Sequence, residues 1–423
     1  MLIEFSVTNY RSFLPAQSLT LTANTATELQ EENSFVSPVS NLPRLLRSTV
    51  VYGPNAAGKS NLIHAIAFMK RFILSSAKES QEGEKIDATP FLFNRQSSRG
   101  PSEFEVLFIQ DGIRYQYGFA VNSERVTGEW LFAYPESRAQ KWFERNYDSE
   151  TQKDIWYFGP KFTGLRKIWQ EATRSNALFL STAIQLNNEQ LKPVFNWFDR
   201  KLRVITQGEN ISPGFSTSEC EKEEKKKKIL KFMNAADPSI TDISLEKKDF
   251  SMDHLPPDMP QSIKEEIAKD LKGKKLTELF FKHPSSDNDE KVSLEFEEES
   301  AGTRKLFAMA GPWLDVLDKG LVLFVDELDT SLHPLLVRFL LNLLHNSEVN
   351  RHNAQLVFTT HDTTVLDQAL VRRDQVWFVE KDNENATSLY PLSDYKPRKG
   401  EALQKGYLYG RYGALPFPGE LRF

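Results

Sequence analysis

Residues 53–60 have the sequence Gly-Pro-Asn-Ala-Ala-Gly-Lys-Ser, which is the full Gly-x4-Gly-Lys-Ser spacing of a phosphate-binding loop. Backbone N–H groups must turn inward to cradle phosphate oxygens, and a side chain at Gly53 or Gly58 would obstruct them. Lys59 supplies a positive charge, and the N-terminus of the following helix adds its partial positive charge. Ser60 offers its hydroxyl to Mg²⁺. The stretch therefore predicts a nucleotide site.

The sequence on both sides of the loop supports this interpretation. Residues 49–52 are a short apolar run typical of a buried strand. Apolar residues recur at helical spacing just after the loop, at Leu62, Ile66, Met69 and Ile73. Strand, loop and helix therefore come in the order that a phosphate-binding loop requires, which a chance glycine-rich turn would not share.

A second stretch, residues 321–334, places carboxylates at the end of an apolar run: Leu-Val-Leu-Phe-Val-Asp-Glu-Leu-Asp-Thr-Ser-Leu-His-Pro. Such a run suits a central parallel strand, and ligands gather at the carboxyl ends of these strands. Asp326 is then placed to hold Mg²⁺, and Glu327 to orient or deprotonate an attacking water. Taken alone, adjacent acids also fit a solvated strand end. The phosphate-binding loop favours the functional interpretation.

Two further stretches leave alternatives open. Residues 355–362 form an apolar run that ends in polar residues, and His361 is either a contact to the γ-phosphate or a structural hydrogen-bonding residue. Residues 299–305, Glu-Ser-Ala-Gly-Thr-Arg-Lys, precede an apolar segment. Ser300 and Gly302 either present N–H groups to an anion or belong to an ordinary helix start that Ser300 caps.

These four stretches, in this order, resemble the ATP-binding-cassette (ABC) class of ATPases, in its SMC, RecF and OLD-like branch rather than its transporter branch. Residues 1–13 are also similar to the first strand of those heads. The resemblance implies an α/β fold: an ABC-type P-loop ATPase head with a mixed sheet and helices, and a helical insertion between two lobes. It also implies ATP and Mg²⁺ as cofactors.

The resemblance further implies a role for each motif. Residues 53–60 would be Walker A, residues 300–304 the signature motif, residues 321–327 Walker B, Asp329 the D-loop acid and His361 the switch histidine. The implied nucleotide-binding residues are Gly53, Asn55, Gly58, Lys59, Ser60, Ser300, Gly302 and Asp329; the metal ligands are Ser60 and Asp326; and the catalytic residues are Lys59, Glu327 and His361.

The signature motif acts in trans in this class. The resemblance therefore implies a homodimer in which Ser300 and Gly302 of one subunit close over ATP held by residues 53–60 of another. Assembly of such dimers into a larger ring is left open. The class also has a Gln-loop, for which Gln96, Gln110 and Gln116 are equal candidates.

The length of 423 residues exceeds that of one typical domain, so we expect a split core with a large insertion. Residues 1–125 are predicted as lobe I, residues 126–290 as connecting strands and a helical insertion, and residues 291–423 as lobe II with an aromatic tail. In lobe I, residues 102–109 and 115–121 are predicted to pair as strands across a turn.

The insertion is predicted from helical spacing in Lys-rich and Glu-rich segments between residues 160 and 275, such as residues 229–233. Its helices alternate with loops around Pro213, Pro238 and Pro256-Pro257. Sustained heptads are absent, which argues against the long coiled coil of SMC proteins.

The formal net charge of -5 is not that of a dedicated DNA-binding protein, which is usually basic. The presence of a local basic patch is left open. The four lysines at residues 225–228 follow closely on glutamates, which favours a solvated helix face. Cys220 is the only cysteine, so the chain forms no internal disulfide, in agreement with a reducing cytosol. No apolar run approaches the roughly 20 residues that span a bilayer. We expect a soluble, cytoplasmic protein.

The tail, residues 395–423, is rich in aromatic residues and glycine, and it either forms an interaction surface or packs on its own core. With the phosphate-binding loop and residues 182–188 and 234–240, it is similar to bacterial AAA-domain ATPases of abortive-infection and anti-phage operons. In the PARIS and AbiL types, the ATPase is thought to sense the phage while a separately encoded Toprim or RloB-like protein acts as the effector. RloA-like ATPases are part of the same resemblance.

The resemblance thus implies an antiviral sensor and scaffold whose ATP-dependent dimer controls a nuclease, with a phage protein or DNA as the trigger. The competing hypothesis is a RecF-like DNA-repair ATPase whose closed dimer grips DNA. A self-contained OLD-type nuclease would need a Toprim domain, and residues 379–382 fit a strand ending in a polar turn better than a Toprim acidic pair. The large insertion does not suit a transporter subunit.

Overall fold

The computed structural model describes residues 1–136, 138–206, 212–249, 259–271, 275–285 and 291–416. The chain divides into two compact units. Unit 1 comprises Met1–Glu209, Val316–Thr330 and Val337–Phe423, and unit 2 comprises Asn210–Asp315 and Ser331–Leu336. Pro256-Pro257 and the end of the predicted tail, residues 417–423, lie outside the described residues. The predicted lobe boundaries at residues 125 and 290 stay a prediction.

The described residues form both strands and helices, which confirms the α/β class. The strands are β1 (Leu2–Thr8), β2 (Gln17–Thr20), β3 (Ser34–Phe35), β4 (Leu45–Leu46), β5 (Ser48–Tyr52), β6 (Ser102–Gln110), β7 (Ile113–Val121), β8 (Val126–Tyr134), β9 (Gln140–Asp148), β10 (Lys153–Phe158), β11 (Leu202–Ile205), β12 (Asp242–Asp249), β13 (Lys275–Pro284), β14 (Lys291–Glu295), β15 (Val322–Val325), β16 (Gln355–Thr359), β17 (Val376–Lys381) and β18 (Thr387–Pro391). The α-helices are α1 (Gln30–Asn33), α2 (Lys59–Ser75), α3 (Arg166–Ala172), α4 (Phe179–Gln185), α5 (Lys192–Asn196), α6 (Gly214–Cys220), α7 (Glu223–Ala236), α8 (Gln261–Leu271), α9 (Ala301–Lys319), α10 (Pro334–His345) and α11 (Leu403–Leu408). Short 3-10 segments lie at Ser97–Arg99, Phe296–Glu298, Thr363–Val365, Arg373–Gln375 and Leu392–Tyr395, and a π-helical turn lies at Trp197–Lys201.

The parallel sheet of unit 1 positions the nucleotide motifs. Its strand order in the described residues is β11-β15-β16-β5-β17-β18, and only β18 runs antiparallel to its neighbour. Strands β5, β15 and β16 are buried along their whole length, which confirms the three strands predicted beside the motifs. Because they are parallel neighbours, their carboxyl ends meet at one edge of the sheet.

Helix α2 starts within the phosphate-binding loop, at Lys59. Leu62, Ile66, Met69 and Ile73 are fully buried, so the predicted helical face is confirmed. Burying side chains of this size stabilises the fold by about 1.5–3 kcal/mol each. The helix therefore anchors the loop to the core of unit 1.

An antiparallel sheet packs against α2 on its apolar face. Its order in the described part of the chain is β10-β9-β8-β7-β6-β1-β2. The predicted pair of strands at residues 102–109 and 115–121 is confirmed as β6 and β7. They turn at Asp111 and Gly112, whose positive φ values of 52° and 75° suit a two-residue hairpin turn.

Helices α3 to α8 lie in the described residues of the predicted insertion, whose bounds stay a prediction. The structure adds strands that the sequence analysis did not predict, among them β11 and the antiparallel sheet β12-β13-β14. These strands are short or rich in charged residues, so their apolar alternation is weak. In α7 the lysines at residues 225–228 are exposed or half-buried, and Lys227 pairs with Glu223 at 3.6 Å, which confirms a solvated face.

The described part of the tail packs on its own core. Tyr407 stacks on Phe378 with ring centroids 5.5 Å apart and also contacts Tyr52, which directly precedes the phosphate-binding loop. Tyr412 is 1% exposed and stacks on Phe378.

Residues 379–381 belong to strand β17, which is followed by a turn and then by the antiparallel strand β18, as predicted. None of the helices in the described ranges combines the length and the apolar character that a bilayer crossing requires.

Candidate nucleotide site

A cleft of about 350 Å³ in unit 1 brings together six of the eleven predicted site residues; Gly53, Asp326, Asp329, Ser300 and Gly302 are not among its lining residues. We call it the nucleotide cleft; it is lined by Asn55, Ala56, Gly58, Lys59, Ser60, Asn61, Glu327 and His361. Its volume falls in the range of small-molecule sites. Ala56 and Asn61 were not predicted, although their positions within and just after the loop were a sufficient signal.

The two loop glycines are required by the protein's own packing as well as by phosphate. A Cβ at Gly53 would lie 2.5 Å from the carbonyl oxygen of Val379 in β17. Gly58 has a φ of 115°, and a Cβ there would lie 2.4 Å from Oγ1 of Thr387 in β18. The loop is therefore pressed against strands that lie far away in sequence.

Hydrogen bonds from polar side chains outside the loop hold the phosphate-binding loop in place. Thr387 Oγ1 donates to the carbonyl of Ala57 at 2.8 Å and lies 2.7 Å from Oγ of Ser12. Asn61 donates to the same Ser12 oxygen at 2.8 Å. Ser12 belongs to the opening segment that resembles the first strand of SMC and RecF-like heads, so this segment holds the loop in place. Sequence analysis assigned no role to Ser12, Asn61 or Thr387.

Lys59 is buried and turned across the loop. Its Nζ donates to the carbonyl oxygens of Gly53 at 2.7 Å and Pro54 at 3.1 Å. Burial lowers the pKa of Lys59 from its ordinary value, while the charges of Glu327, Asp326 and Asp329 act in the opposite direction. Among the described residues, the hydrogen-bond partners of the ammonium group are these two carbonyl oxygens, which phosphate oxygens can replace.

Asp326 and Glu327, the predicted Walker B acids, directly follow β15. Asp326 is 6% exposed, and its Oδ1 accepts a hydrogen bond from Thr359 Oγ1 at 2.6 Å. Its Oδ2 has no hydrogen-bond partner among the described residues. A buried carboxylate oxygen left free beside a phosphate cradle is the kind of ligand that Mg²⁺ prefers, so Asp326 and the Ser60 hydroxyl fit the predicted metal. No group of three or more His, Cys, Asp or Glu suited to a metal occurs in the described ranges.

The predicted switch histidine, His361, is linked to Asp329, the predicted D-loop acid. The backbone N–H of His361 donates to Oδ2 of Asp329 at 3.3 Å. The next residue, Asp362, caps the following 3-10 segment through Thr364 and accepts a hydrogen bond on its carbonyl from Tyr52 at 2.8 Å. The His361 segment is thereby tied to the strand that leads into the loop.

Ser300 and Gly302 belong to unit 2. Ser300 Oγ accepts a hydrogen bond from the backbone N–H of Thr303 at 3.1 Å, which confirms it as a cap of α9. A Cβ at Gly302 would meet its nearest neighbour, the carbonyl oxygen of Ser331, at an ordinary 3.7 Å. Packing against the described residues of its own chain therefore does not explain the glycine at this position.

None of the three Gln-loop candidates lines the nucleotide cleft of the described chain. Gln116 bonds Glu105 and Tyr134 within the antiparallel sheet, and Gln110 bonds the adjacent Asp111. The Gln-loop residue therefore stays open. Ile205, the last residue of β11, accepts a hydrogen bond on its carbonyl oxygen from the backbone N–H of Asp326 at 2.9 Å.

A family model with the description "AAA domain, putative AbiEii toxin, Type IV TA system" matches residues 48–367. The chain belongs to this family. It is thus an AAA-domain ATPase, which confirms the predicted enzyme activity and the resemblance to bacterial AAA-domain ATPases. No curated protein matches the chain in sequence.

Solved structures of SMC heads and of RecF are also similar to this chain. The SMC head bound to the C-winged helix domain of ScpA is 13% identical, with 92% of this chain and 97% of that chain covered and a TM-score of 0.42. The SMC head domain from Thermotoga maritima is 14% identical, with 92% and 98% covered and a TM-score of 0.40. The recombination mediator RecF is 14% identical, with 92% and 98% covered and a TM-score of 0.34.

Proposed function

We propose that this ATPase is the sensor and scaffold subunit of a bacterial anti-phage, abortive-infection module. In this proposal, ATP-dependent dimerisation of its heads controls a separately encoded effector, such as a Toprim or RloB-like nuclease. The nucleotide cleft carries the proposal, because it gathers a phosphate loop, a buried lysine, a carboxylate at a strand end and a histidine in one place.

Each residue in or next to the cleft has a separate role in phosphoryl transfer. The backbone of residues 53–60 cradles the phosphates, and Lys59 exchanges its carbonyl partners for phosphate oxygens. Ser60 and Asp326 would hold Mg²⁺, which neutralises charge on the phosphates when bound. Glu327 orients or deprotonates the attacking water, and His361 contacts the γ-phosphate. Positioning and charge neutralisation are the main requirements of this reaction.

Dimerisation is supported by the signature segment. Ser300 caps α9 through the backbone N–H of Thr303, so the segment forms a fixed helix start, and helix starts suit anions. A Cβ at Gly302 would make only ordinary contacts with the described residues of its own chain. We take close approach of a ligand as the reason for the glycine. We therefore propose that Ser300 and Gly302 complete the nucleotide site of a second subunit.

The defence role is supported by the family description, which names an abortive-infection toxin and a type IV toxin–antitoxin system. The net charge of -5 also favours a protein partner over a dedicated DNA-binding role. A phage protein or DNA would act as the trigger.

A specific observation favours the alternative, a RecF-like repair ATPase that grips DNA. A groove of about 380 Å³ in unit 1 has Arg11, Lys70 and Arg71 among its lining residues, together with Tyr10 and Asp87. Cationic groups in one groove suit a nucleic-acid backbone. Asp87 pairs with Arg71 at 3.4 Å and so reduces the positive charge of this groove.

The test is affinity purification of tagged Glu327→Gln protein from its native host with ATP and Mg²⁺, because slow hydrolysis should trap the closed dimer and its partner. Lys59→Ala is the matched control, since it should not reach the ATP-bound state. A nuclease or toxin-like protein enriched only with Glu327→Gln supports the defence module. Enrichment of DNA or recombination proteins instead would favour the repair ATPase.

A further inference from the structure

Thr359, the last residue of β16, forms hydrogen bonds to three consecutive residues, Asp326, Glu327 and Leu328. Its hydroxyl donates to Oδ1 of Asp326 at 2.6 Å and accepts a hydrogen bond from the backbone N–H of Glu327 at 2.7 Å. Its carbonyl oxygen accepts from the backbone N–H of Leu328 at 3.1 Å. Thr359 itself is fully buried.

We propose that Thr359 is a positioning residue for ATP hydrolysis, which aims the metal-binding oxygen of Asp326 and fixes the backbone that carries Glu327. The inference rests on the proposed roles of Asp326 and Glu327, and it deepens them.

The first step concerns the orientation of the Asp326 carboxylate. Rotation about the terminal bond of an aspartate is broad and roughly two-fold, so the side chain alone does not select which oxygen stays free for a metal. Thr359 holds Oδ1, and Oδ2 is the oxygen left without a partner among the described residues. The hydroxyl therefore selects Oδ2 as the oxygen available to Mg²⁺.

The second step concerns the backbone at Glu327. Its φ of 50° lies in the left-handed region, which is uncommon for a residue with a side chain. Such conformations persist where the surrounding structure holds them, and they cluster at functional sites. The hydrogen bonds from Glu327 and Leu328 to Thr359 hold the chain at this point. These hydrogen bonds set the direction in which the Glu327 side chain leaves the backbone.

The third step concerns the sheet. Val325 of β15 pairs with Phe358 of β16, so Thr359 lies beside Asp326 where the two strands end. A threonine fits a buried strand through its β-branch, and its hydroxyl supplies both a donor and an acceptor. Valine has the same shape without the hydroxyl, and serine keeps the hydroxyl without the methyl group.

The experiment compares Thr359→Val with Thr359→Ser and with Thr49→Val. Thr49 is a suitable control because it is buried on the neighbouring strand β5 and its hydroxyl has no hydrogen-bond partner among the described residues. For each purified protein we would measure kcat, KM for ATP and the affinity for a fluorescent ATP analogue with Mg²⁺ and with EDTA.

We expect Thr359→Val to lower kcat about 10-fold to 100-fold, because a hydrogen bond to a charged group is lost. The Mg²⁺ concentration needed for tight nucleotide binding should rise about 10-fold, while the affinity in EDTA stays unchanged. Thr359→Ser should recover most of both properties, and Thr49→Val should match the wild type. A merely structural role for Thr359 would not change the Mg²⁺ dependence in this selective way.

Wild-type kcat and Mg²⁺ dependence in Thr359→Val would overturn the inference. Asp326→Asn and Glu327→Gln are measured in parallel to separate it from the proposed site. If those two variants hydrolyse ATP normally, the site assignment itself is wrong; if they are inactive while Thr359→Val is normal, only the positioning role fails. If Thr359→Val does not fold, Thr359→Ala is used instead, because it removes the same hydroxyl. The same changes in kcat and Mg²⁺ dependence are then expected, and wild-type values would again overturn the inference.

Discussion

Gly58 and Thr387 are in such close contact that a Cβ at the glycine would lie 2.4 Å from the threonine hydroxyl. Thr387 is also the residue that donates to the carbonyl of Ala57, next to the glycine in the loop. One strand at the edge of the parallel sheet thus determines both the shape of the phosphate-binding loop and the residue type at its sixth position.

Gly58→Ala should therefore displace the loop. The φ of 115° alone is strained for alanine, at a cost of about 1–3 kcal/mol, and the contact with Thr387 adds to it. We expect a lower free energy of unfolding in urea and loss of ATP binding in a titration. The double variant Gly58→Ala/Thr387→Ala removes the contact and keeps the strain, so it should recover part of the stability. Equal stability of Gly58→Ala and the wild type would contradict the contact.

Glu327→Gln should retain ATP binding and lose about 10²-fold to 10⁴-fold in kcat, because the amide cannot act as a base for the attacking water. Single-turnover hydrolysis and ATP binding would be measured on the same preparation. Glu348→Gln changes an exposed glutamate that lies outside the nucleotide cleft and serves as the control. Hydrolysis at the wild-type rate in Glu327→Gln would mean that another residue activates the water.

Mixing two inactive variants tests whether the signature segment acts in trans. Ser300→Arg should spare ATP binding by the isolated subunit but prevent closure, and Lys59→Ala should weaken binding because the phosphates lose their main cation. A mixed dimer has one intact site, made from Walker A of the Ser300→Arg subunit and the signature segment of the Lys59→Ala subunit. ATPase activity should therefore return on mixing. Mixtures that stay as inactive as either variant alone would argue for a site within one chain.

His345 should make stability depend on pH. Burial lowers the pKa of His345 to about 3, and its Nε2 lies 2.8 Å from the hydroxyl of Ser48. In the unfolded chain the group titrates near pH 6.5, so the unfolded state binds the extra proton as the pH falls. Stability is fully present above that value and is lost progressively toward pH 3, by up to about 1.4 kcal/mol per pH unit.

Urea unfolding at pH 7, 6 and 5 checks this expectation. The decrease in the free energy of unfolding should be shallower in His345→Gln, which has no titrating ring. His352→Gln, which changes an exposed histidine, should keep the wild-type slope. Identical slopes in all three proteins would show that His345 does not contribute.

The nucleotide motifs were predictable because each is encoded in a few neighbouring residues. The order of strand, loop and helix around Lys59 and the apolar run ending in Asp326 are local patterns, and the structure has β5, α2 and β15 at those places. The hairpin at Asp111 was equally local, since its turn residues are adjacent. Strands β11 to β14 were missed because charged residues or short length hide their alternation.

The sequence by itself determined that this protein has a phosphate-binding loop, acids at the end of a buried strand and a polar segment after another strand. The tertiary structure alone decided which side chains hold these parts together. Thr359 and Asp326 are 33 positions apart, and Thr387 and Ala57 are 330 positions apart. Hydrophobic periodicity specifies which residues are buried along an element, but contacts between elements depend on strand order and register, which no local pattern of residues encodes.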